Sequence, residues 1–463
     1  MAVSLSRLLA SDAALPPGAR DAAIVGLTAD SREVKPGYLF AALPGSAVDG
    51  AKFIPQAIAA GAAAIIGGQS AKMPADGTPF IQSDNPRRLF ALLAARFAGG
   101  QPDTAVAVTG TNGKTSVAAF VRQIWESMGF RAASIGTIGI VGPSGEHYLA
   151  HTTPDPVHLH QALAALEQDH VTHVALEASS HGLAQYRLDG VHLAAGAFTN
   201  LTRDHLDYHA SFEDYFEAKM RLFGELLPQG APAVINADSP HTQAVIARAK
   251  AHGLTIFTVG HSGAGLKLIS AMRDGFGQRI ELQGPSGRHE IYLPLVGDFQ
   301  ASNALVAAGL VIATGGEEAL AIHGLESLKG AKGRLDLVAT SMTGAPVFVD
   351  YAHTPDALEK ALLALRPYVQ SKLAVVFGAG GDRDKGKRPE MGAIAAKLAD
   401  VAYVTDDNPR TEDAAAIRAA ILAACPGGIE IGDRAQAIRQ AVDILRNGDI
   451  LLVAGKGHEA GQT

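Results

Sequence analysis

Thiols are nearly absent: Cys425 is the only cysteine in 463 residues. It cannot close an internal disulfide, which fits a reducing compartment. No apolar run approaches the ~20 residues needed to span a bilayer. The apolar patch within Met1–Arg20 is interrupted by Ser and Asp, so no signal peptide is read. Glycine (51) and proline (23) are too few for a low-complexity or collagenous chain. Positive charge is in deficit, with 39 Lys and Arg against 46 Asp and Glu and a net charge of −7. A mildly acidic chain is not built to neutralise a phosphate backbone, which argues against nucleic acid as the main partner. Internal repeats are also missing. What is present is 47% apolar and 18% charged residues, enough for several ordinary cores. At roughly 150 residues per domain the length allows about three domains.

Three blocks emerge, and the fold class is α/β throughout. The first, 1–100, is a small α/β N-terminal domain rich in Ala and Gly; it closes on a helix from Pro86 to Phe97 and a Gly99-Gly100-Gln101-Pro102 break. The second, 101–332, alternates strands (Thr104–Val108, Val171–Leu176, Ala195–Phe198, Ala233–Ile235) with helices, which predicts a largely parallel, doubly wound sheet. Short alternating runs separated by Gly-rich turns in 255–297 predict a small antiparallel patch. The third, 333–463, alternates strands Val347–Val349, Ala374–Phe377, Ala402–Thr405 and Ile450–Val453 with Ala-rich helices, a Rossmann-like pattern.

The strongest local signal is an apolar strand running into Gly110-Thr111-Asn112-Gly113-Lys114-Thr115-Ser116 and then a helix. Such glycines let backbone N–H groups curl around phosphates, and the helix N-terminus adds favourable partial charge. Lys114 can reach the β- and γ-phosphates, and the Thr115 hydroxyl can ligate Mg²⁺. The match to G-x-x-x-x-G-K-[ST] is incomplete, because position 108 is Val. Glu177, at the C-terminal end of the next strand, is a candidate Mg²⁺ ligand, since ligands in open α/β sheets bind outside those ends. His205 and His209 have an i, i+4 spacing that suits zinc. No third ligand stands at metal spacing, and a phosphate or Mg²⁺ role for His205 is the better reading.

Ser211 to Phe223 reads as a helix with Ser211 as N-cap and Asp214 at capping-box spacing. At roughly 100° per residue, Phe212, Phe216 and Phe223 share one face, and Lys219 falls inside that apolar arc. A buried ammonium is costly. Lys219 either snorkels out, pairs with a carboxylate, or is carbamylated by CO₂ into a ligand for a second Mg²⁺; from the pattern by itself, snorkelling leads.

Together, Gly110–Thr115, Glu177-Ala178-Ser179-Ser180-His181, Glu217-Ala218-Lys219 and Asp350-Tyr351-Ala352-His353-Thr354-Pro355 closely resemble the ATP-dependent Mur ligases of peptidoglycan synthesis. Within that family, Gly381–Arg388 and Asp407-Asn408-Pro409-Arg410 look like the branch that adds meso-diaminopimelate to UDP-N-acetylmuramoyl-L-alanyl-D-glutamate. The resemblance implies an ATP-dependent amide ligase acting through an acyl phosphate, with ATP as co-substrate and Mg²⁺ as cofactor. It implies catalytic roles for Lys114, His205 and Lys219, the last as N6-carboxylysine. Thr115, Glu177, His205 and carbamylated Lys219 would gather the metal. ATP would meet Gly110–Ser116, Asn303, Arg334 and Asp350. The UDP end would dock around Ala29, Ser31, Ser46, Ala47 and Val48, and the muramoyl peptide would meet Thr152, Thr153, Ser179, Gln185 and Arg187. Diaminopimelate would meet Arg383, Asp407, Asn408, Pro409, Arg410, Gly455 and Glu459.

Arg410 offers a planar fork for the distal carboxylate that lysine lacks, and Asp407 and Asn408 can accept from the distal ammonium. The bland alternative for Asp407–Arg410 is a helix-initiating turn. Closure of the third domain onto the second is expected about a hinge near Ala331–Arg334. At Ala29 and Ser46–Val48 relatives often carry bulkier or more polar residues, so uridine contacts there are expected to be mainly to backbone. The family pattern continues past Gly455–Glu459, whereas this sequence stops at Thr463, so a closing strand or helix is expected to be missing. A monomeric, cytoplasmic enzyme without membrane insertion is expected. The rivals are a lysine-adding Mur ligase, a folylpolyglutamate-synthetase-like ligase, and a nucleotide switch; the switch would leave the third domain unexplained and lacks an Asn-Lys-x-Asp guanine motif.

Overall fold

The computed structural model describes residues 2–459 and 461, apart from 17–18, 46–47, 150, 203 and 205–207. By contact the chain divides into two compact units, 1–265 with 306–321 and 266–305 with 322–463.

Besides an antiparallel pair of Val3–Ser4 and Ala23–Ile24, the first unit holds two larger sheets. Near its start, strands Gly26–Thr28, Tyr38–Ala42, Ala64–Gly67 and Phe80–Gln82 pair in that order, all parallel. Their backing helix, Pro86–Ala98, shows why the sequence starts and stops it there. Asn85 caps the N-terminus by accepting from Arg88 N–H, Pro86 occupies the first turn, and left-handed Gly99 (φ 87°) ends it. The helix buries Leu89, Phe90 and Leu93 against Leu8, Ile24, Leu39 and Ile66.

In the second sheet, strands Ala132–Gly136, His173–Glu177, Thr104–Thr109, Ala195–Phe198, Pro232–Asn236 and Thr255–Gly260 run parallel in that spatial order. A hairpin of Gly139–Gly142 and Gly145–His147 extends the Ala132 edge antiparallel. The register sets Glu177 beside Val108 and Phe198 beside Thr109, so three strands end level around the loop after Thr109. The Thr104 strand is hydrophobic on both faces, as a strand buried in a parallel sheet must be.

The second unit carries a three-stranded antiparallel meander, Leu266–Asp274, Gly277–Gly284 and Gly287–Leu293. The expected antiparallel patch therefore begins at Leu266. Thr255–Gly260, placed in that patch from the sequence, is a parallel neighbour of Pro232–Asn236 instead. The remaining sheet has the order Asp336–Thr340, Pro346–Asp350, Ile450–Ala454, Leu373–Phe377, Val401–Val404, Ile429–Glu430, antiparallel only at the first pair. Leu373, Val375 and Phe377 enter one core and Ala374 and Val376 another, so both faces are covered, as a doubly wound sheet requires.

The helix after Ser211 spans Phe212–Arg221 and passes into a π-turn at Leu222–Leu226. Ser211 caps it, accepting from Asp214 N–H at 3.0 Å. Its buried face is Tyr215, Ala218, Lys219 and Met220, continued by Leu222 and Phe223. Phe212, expected on that face, is 36% exposed, and Phe216 is only partly buried. Both lie in the regular part of the helix; Phe212 is its first residue and meets the His241 ring at 5.5 Å instead.

Candidate functional site

The loop between Thr109 and Lys114 is shaped by two glycines. Gly110 sits at φ 148°, where a Cβ would come 1.9 Å from Thr199 Oγ1, and Gly113 is left-handed at φ 89°. The strand end at Phe198 braces the turn: Thr111 N–H donates to Asn200 O (2.8 Å) and Asn112 N–H to Asn200 Oδ1 (2.9 Å). Thr199 Oγ1 donates to Asn112 O at 2.6 Å. Lys114 opens the helix Lys114–Ser127, with Thr115 and Ser116 buried behind it. Its ammonium folds back onto the carbonyls of Gly110 (3.0 Å) and Thr111 (2.8 Å).

Glu177 is 3% exposed and its carboxylate faces this loop. Thr115 Oγ1 donates to its Oε2 at 3.0 Å, Thr137 N–H to its Oε1 at 2.7 Å, and Thr137 Oγ1 to its Oε2 at 3.1 Å. Gly136 leaves room for it; a Cβ there would lie 2.0 Å from Glu177 Oε1. Next to it, Thr152 bonds Thr137 (3.0 Å), and Thr153 Oγ1 donates to Glu177 O (2.8 Å) and bonds Ser179 Oγ (3.0 Å). Arg187 donates to Thr153 O (2.6 Å) and to Gln185 Oε1 (2.8 Å). The expected muramoyl-peptide set Thr152, Thr153, Ser179, Gln185 and Arg187 is thus one connected group.

Lys219 does not snorkel. It is 1% exposed and donates to Gly110 O at 2.8 Å, the same carbonyl that Lys114 uses. Its ammonium also lies 4.4 Å from the Tyr215 ring centre. Burial, reinforced by the Lys114 charge and opposed by Asp204, pushes its pKa well below the usual lysine value. A lowered pKa favours the unprotonated amine, the form that attacks CO₂. Tyr215, whose hydroxyl bonds Thr111 Oγ1 at 3.0 Å, ties the Lys219 helix to the loop.

Carboxylate and hydroxyl oxygens converging at Thr115 and Glu177 are the hard donors Mg²⁺ takes. Lys219 could join them only after conversion to a carbamate. Among the described residues no cluster of three or more His, Cys, Asp or Glu forms a metal cage. His205 lies outside the described residues, as do Ser46 and Ala47 of the expected uridine segment. Of the rest of that segment, Ser31 Oγ donates to Gln56 Oε1 (3.2 Å), while Ala29 and Val48 (47% exposed) face solvent.

In the second unit the expected adenine-side residues form a chain. Asn303 Nδ2 donates to Gln300 Oε1 (3.1 Å) and Gln300 Nε2 to Arg334 O (3.2 Å). The Arg334 guanidinium sits 4.6 Å from the Tyr351 ring centre. Asp350 accepts from Leu335 N–H (2.7 Å) and Ala352 N–H (2.8 Å); burial pushes its carboxyl up to about 6, against the pull of Arg334.

The Asp407–Arg410 loop follows strand Val401–Val404. Asn408 Nδ2 donates to Glu459 Oε2 (3.3 Å) and accepts from Lys456 Nζ at Oδ1 (3.2 Å). A Cβ on Gly455 would come 2.8 Å from Asp407 Oδ2, so Asp407, Asn408, Gly455 and Glu459 are gathered. Arg410 has a left-handed backbone (φ 53°) and donates to Gly381 O at 2.7 Å. That conformation is not helical, which counts against the bland helix-initiating turn; the helix starts later, at Ala414, capped by Asp413. Arg383 is exposed, in the loop before helix Lys387–Leu398.

Sequence reasoning missed several members. Thr137 orients Glu177, Tyr351 OH donates to Glu459 Oε1 (3.1 Å), and half-buried Arg434 attracts Asp407 while donating to Ala454 O (2.9 Å). Thr137 stands on a turn without a motif. Tyr351 was in view, inside Asp350–Pro355, but its partner lies 108 residues away.

Three family models match the chain: "Mur ligase family, catalytic domain" over 23–98, "Mur ligase middle domain" over 108–311, and "Mur ligase, glutamate ligase domain" over 333–457. The chain is 57% identical over 443 residues to the UDP-N-acetylmuramoyl-L-alanyl-D-glutamate–2,6-diaminopimelate ligase of Mesorhizobium japonicum, covering 96% of this chain and 92% of that protein. Against the enzyme of the same name from Bradyrhizobium diazoefficiens the identity is 55%, over 99% and 95%. A solved structure under that name superposes with TM-score 0.72 at 32% identity, covering all of this chain and 95% of the other. A Mycobacterium tuberculosis folylpolyglutamate synthase complexed with ADP and AMPPCP, 19% identical over 80% of this chain and 92% of that one, shares the fold at TM-score 0.66.

Proposed function

The chain belongs to the Mur ligase family, and we propose that it joins meso-2,6-diaminopimelate to the D-glutamate carboxylate of UDP-N-acetylmuramoyl-L-alanyl-D-glutamate at the expense of ATP, in peptidoglycan precursor synthesis. The observation that carries this is the buried Lys219 amine on the carbonyl of the phosphate loop, beside a carboxylate, Glu177, held by Thr115 and Thr137. The full-length relatives named for this reaction agree with it.

A carboxylate is a poor acyl donor because oxide would have to leave. Moving the γ-phosphoryl group of ATP onto the D-glutamate carboxylate makes an acyl phosphate; the amine of diaminopimelate attacks its carbonyl carbon and inorganic phosphate departs. On this reading the N–H groups of Gly110–Thr115 and the Lys114 ammonium follow the charge on the transferring oxygens. Mg²⁺, held by Thr115 and Glu177 with Lys219 as its carbamate, would offset repulsion between the incoming carboxylate and the nucleotide. Thr152, Thr153, Ser179, Gln185 and Arg187 hold the muramoyl peptide, and Asn303, Arg334 and Asp350 the nucleotide's other end. Asp407, Asn408, Arg410 and Glu459 receive the distal end of diaminopimelate, with Arg410 pairing its carboxylate. Three functional blocks, 1–100, 101–332 and 333–463, divide these tasks, in a cytoplasmic setting.

The test is phosphate release with ATP, Mg²⁺ and the UDP-dipeptide while diaminopimelate, lysine and ornithine compete. Release that needs both the UDP-dipeptide and diaminopimelate supports the reading. Release with nucleotide by itself, or equal use of lysine, overturns it.

A further inference from the structure

Arg87 takes no part in the scheme above, yet its setting is unusual for an arginine. It stands at the start of the helix Pro86–Ala98, half-buried, and its Nη2 donates to the carbonyl of Pro44. Pro44 bridges to Asp49, and Ser46–Val48 of the expected uridine segment fall between those two residues in the sequence. On its other side Arg87 lies within electrostatic reach of Tyr208 and of the Arg187 guanidinium. Tyr208 accepts from Gln185 Nε2 at 3.0 Å, and Gln185 in turn holds Arg187. Arg87 therefore spans the gap between the segment expected to hold uridine and the group expected to hold the muramoyl peptide.

The charges in that gap do not balance. Asp155 attracts Arg187, but among the described residues no carboxylate faces Arg87. Arg88, the next residue, turns away to Asp189 at 3.4 Å. Two partly desolvated guanidinium groups that repel each other are costly unless an anion comes between or beside them. Burial is also the main cause lowering the pKa of both, although arginine stays protonated.

We infer that Arg87 is a binding residue for the diphosphate of the UDP-sugar substrate, fixing the distance between its uridine end and the reacting carboxylate. In such a substrate the diphosphate is the anion between the nucleoside and the sugar, and the peptide carboxylates lie beyond the sugar. A planar guanidinium suits two phosphate oxygens, and its hold on Pro44 O sets the fork's direction. The inference rests on the proposed function, since it takes the UDP-sugar as the substrate.

The test compares two substrates in the same variant: the UDP-linked muramoyl dipeptide, and the free muramoyl dipeptide without UDP. In Arg87→Met, kcat/KM for the UDP-linked substrate should fall about 10- to 100-fold, as expected for losing a charged hydrogen bond. The value for the UDP-free substrate, and the KM for ATP, should stay unchanged. Arg87→Lys should recover part of the loss. Equal losses on both substrates in a variant that melts like the wild type would make Arg87 a prop for the Pro44 turn and overturn the inference, as would no loss on either. If Arg87→Met melts early, the same comparison is read from Arg87→Lys, where a loss confined to the UDP-linked substrate supports the inference and an equal loss or none refutes it. A wild-type protein inactive on both substrates would instead refute the underlying ligase reading.

Discussion

Replacing Lys219 with methionine tests the chemistry and the energetics of the site at once. Methionine keeps the volume and removes the amine, and Gly110 O still accepts from Lys114 at 3.0 Å, so no carbonyl is orphaned. The folded protein holds Lys219 well below the 10.5 it has when unfolded, because burial and Lys114 disfavour the charge. Between the lowered value and 10.5 the unfolded chain carries a proton at this site and the folded chain does not. Stability therefore rises with pH across that window, and the lysine penalises the fold below it. One proton corresponds to a slope of at most about 1.4 kcal/mol per pH unit, so the wild type should gain stability on Lys219→Met as the pH rises through that window. Parallel urea unfolding of both proteins at pH 8, 9 and 10, in bicarbonate-free buffer, isolates this slope, since other titrations cancel in the difference. Turnover in the variant should fall at least ~10²–10³-fold, the scale of losing one electrostatic group that acts on the transferring phosphoryl. A flat stability difference together with full activity would refute both the buried neutral amine and the carbamate built on it.

Other perturbations are simpler. Thr137→Val removes one hydroxyl, and with it the bonds to Glu177 Oε2 and Thr152 Oγ1, and should cost about 1–3 kcal/mol in unfolding free energy and raise the Mg²⁺ concentration needed for half-maximal phosphate release. Unchanged Mg²⁺ dependence would mean that Thr137 does not orient the carboxylate. Arg410→Ala should weaken diaminopimelate by roughly 10-fold or more and leave the KM for ATP alone; equal losses would make the loop structural. His160 is buried, contacts Asp189 O at 3.1 Å, and is lowered from 6.5 to about 4. The folded state thus binds fewer protons, and stability should drop by about 3 kcal/mol as pH falls from 6.5 to 4. His160→Gln should remove most of that acid sensitivity in a pH series of urea melts.

Much of the site was legible because its chemistry sits in contiguous words. Gly110–Thr115 needs two glycines at left-handed or crowded backbone, and only a short string can supply them. Strand periodicity placed Glu177 at a sheet end. The parallel Thr255 strand was misassigned because a short apolar run reads alike in parallel and antiparallel sheets. The arc drawn through Phe212, Phe216 and Phe223 held at Lys219 and Phe223 but failed at Phe212, because periodicity cannot tell that the first residue of a helix lies beyond the edge of the core. Tetrapeptide matching has its own limit. Asp-Asn-Pro-Arg occurs twice, at 84–87 and 407–410. In the first, Asn85 caps a helix and Pro86 starts it; in the second, Arg410 is left-handed and no helix follows at once. Tertiary surroundings decide which reading a word takes, and those are absent from the string.

Gly136 has no left-handed backbone to excuse it, only a neighbour 2.0 Å from where a methyl would sit. Saturation at this codon should therefore leave glycine as the sole survivor under selection for cell-wall growth. An alanine variant, mild by any hydrophobicity scale, should behave like a lesion in Glu177 itself.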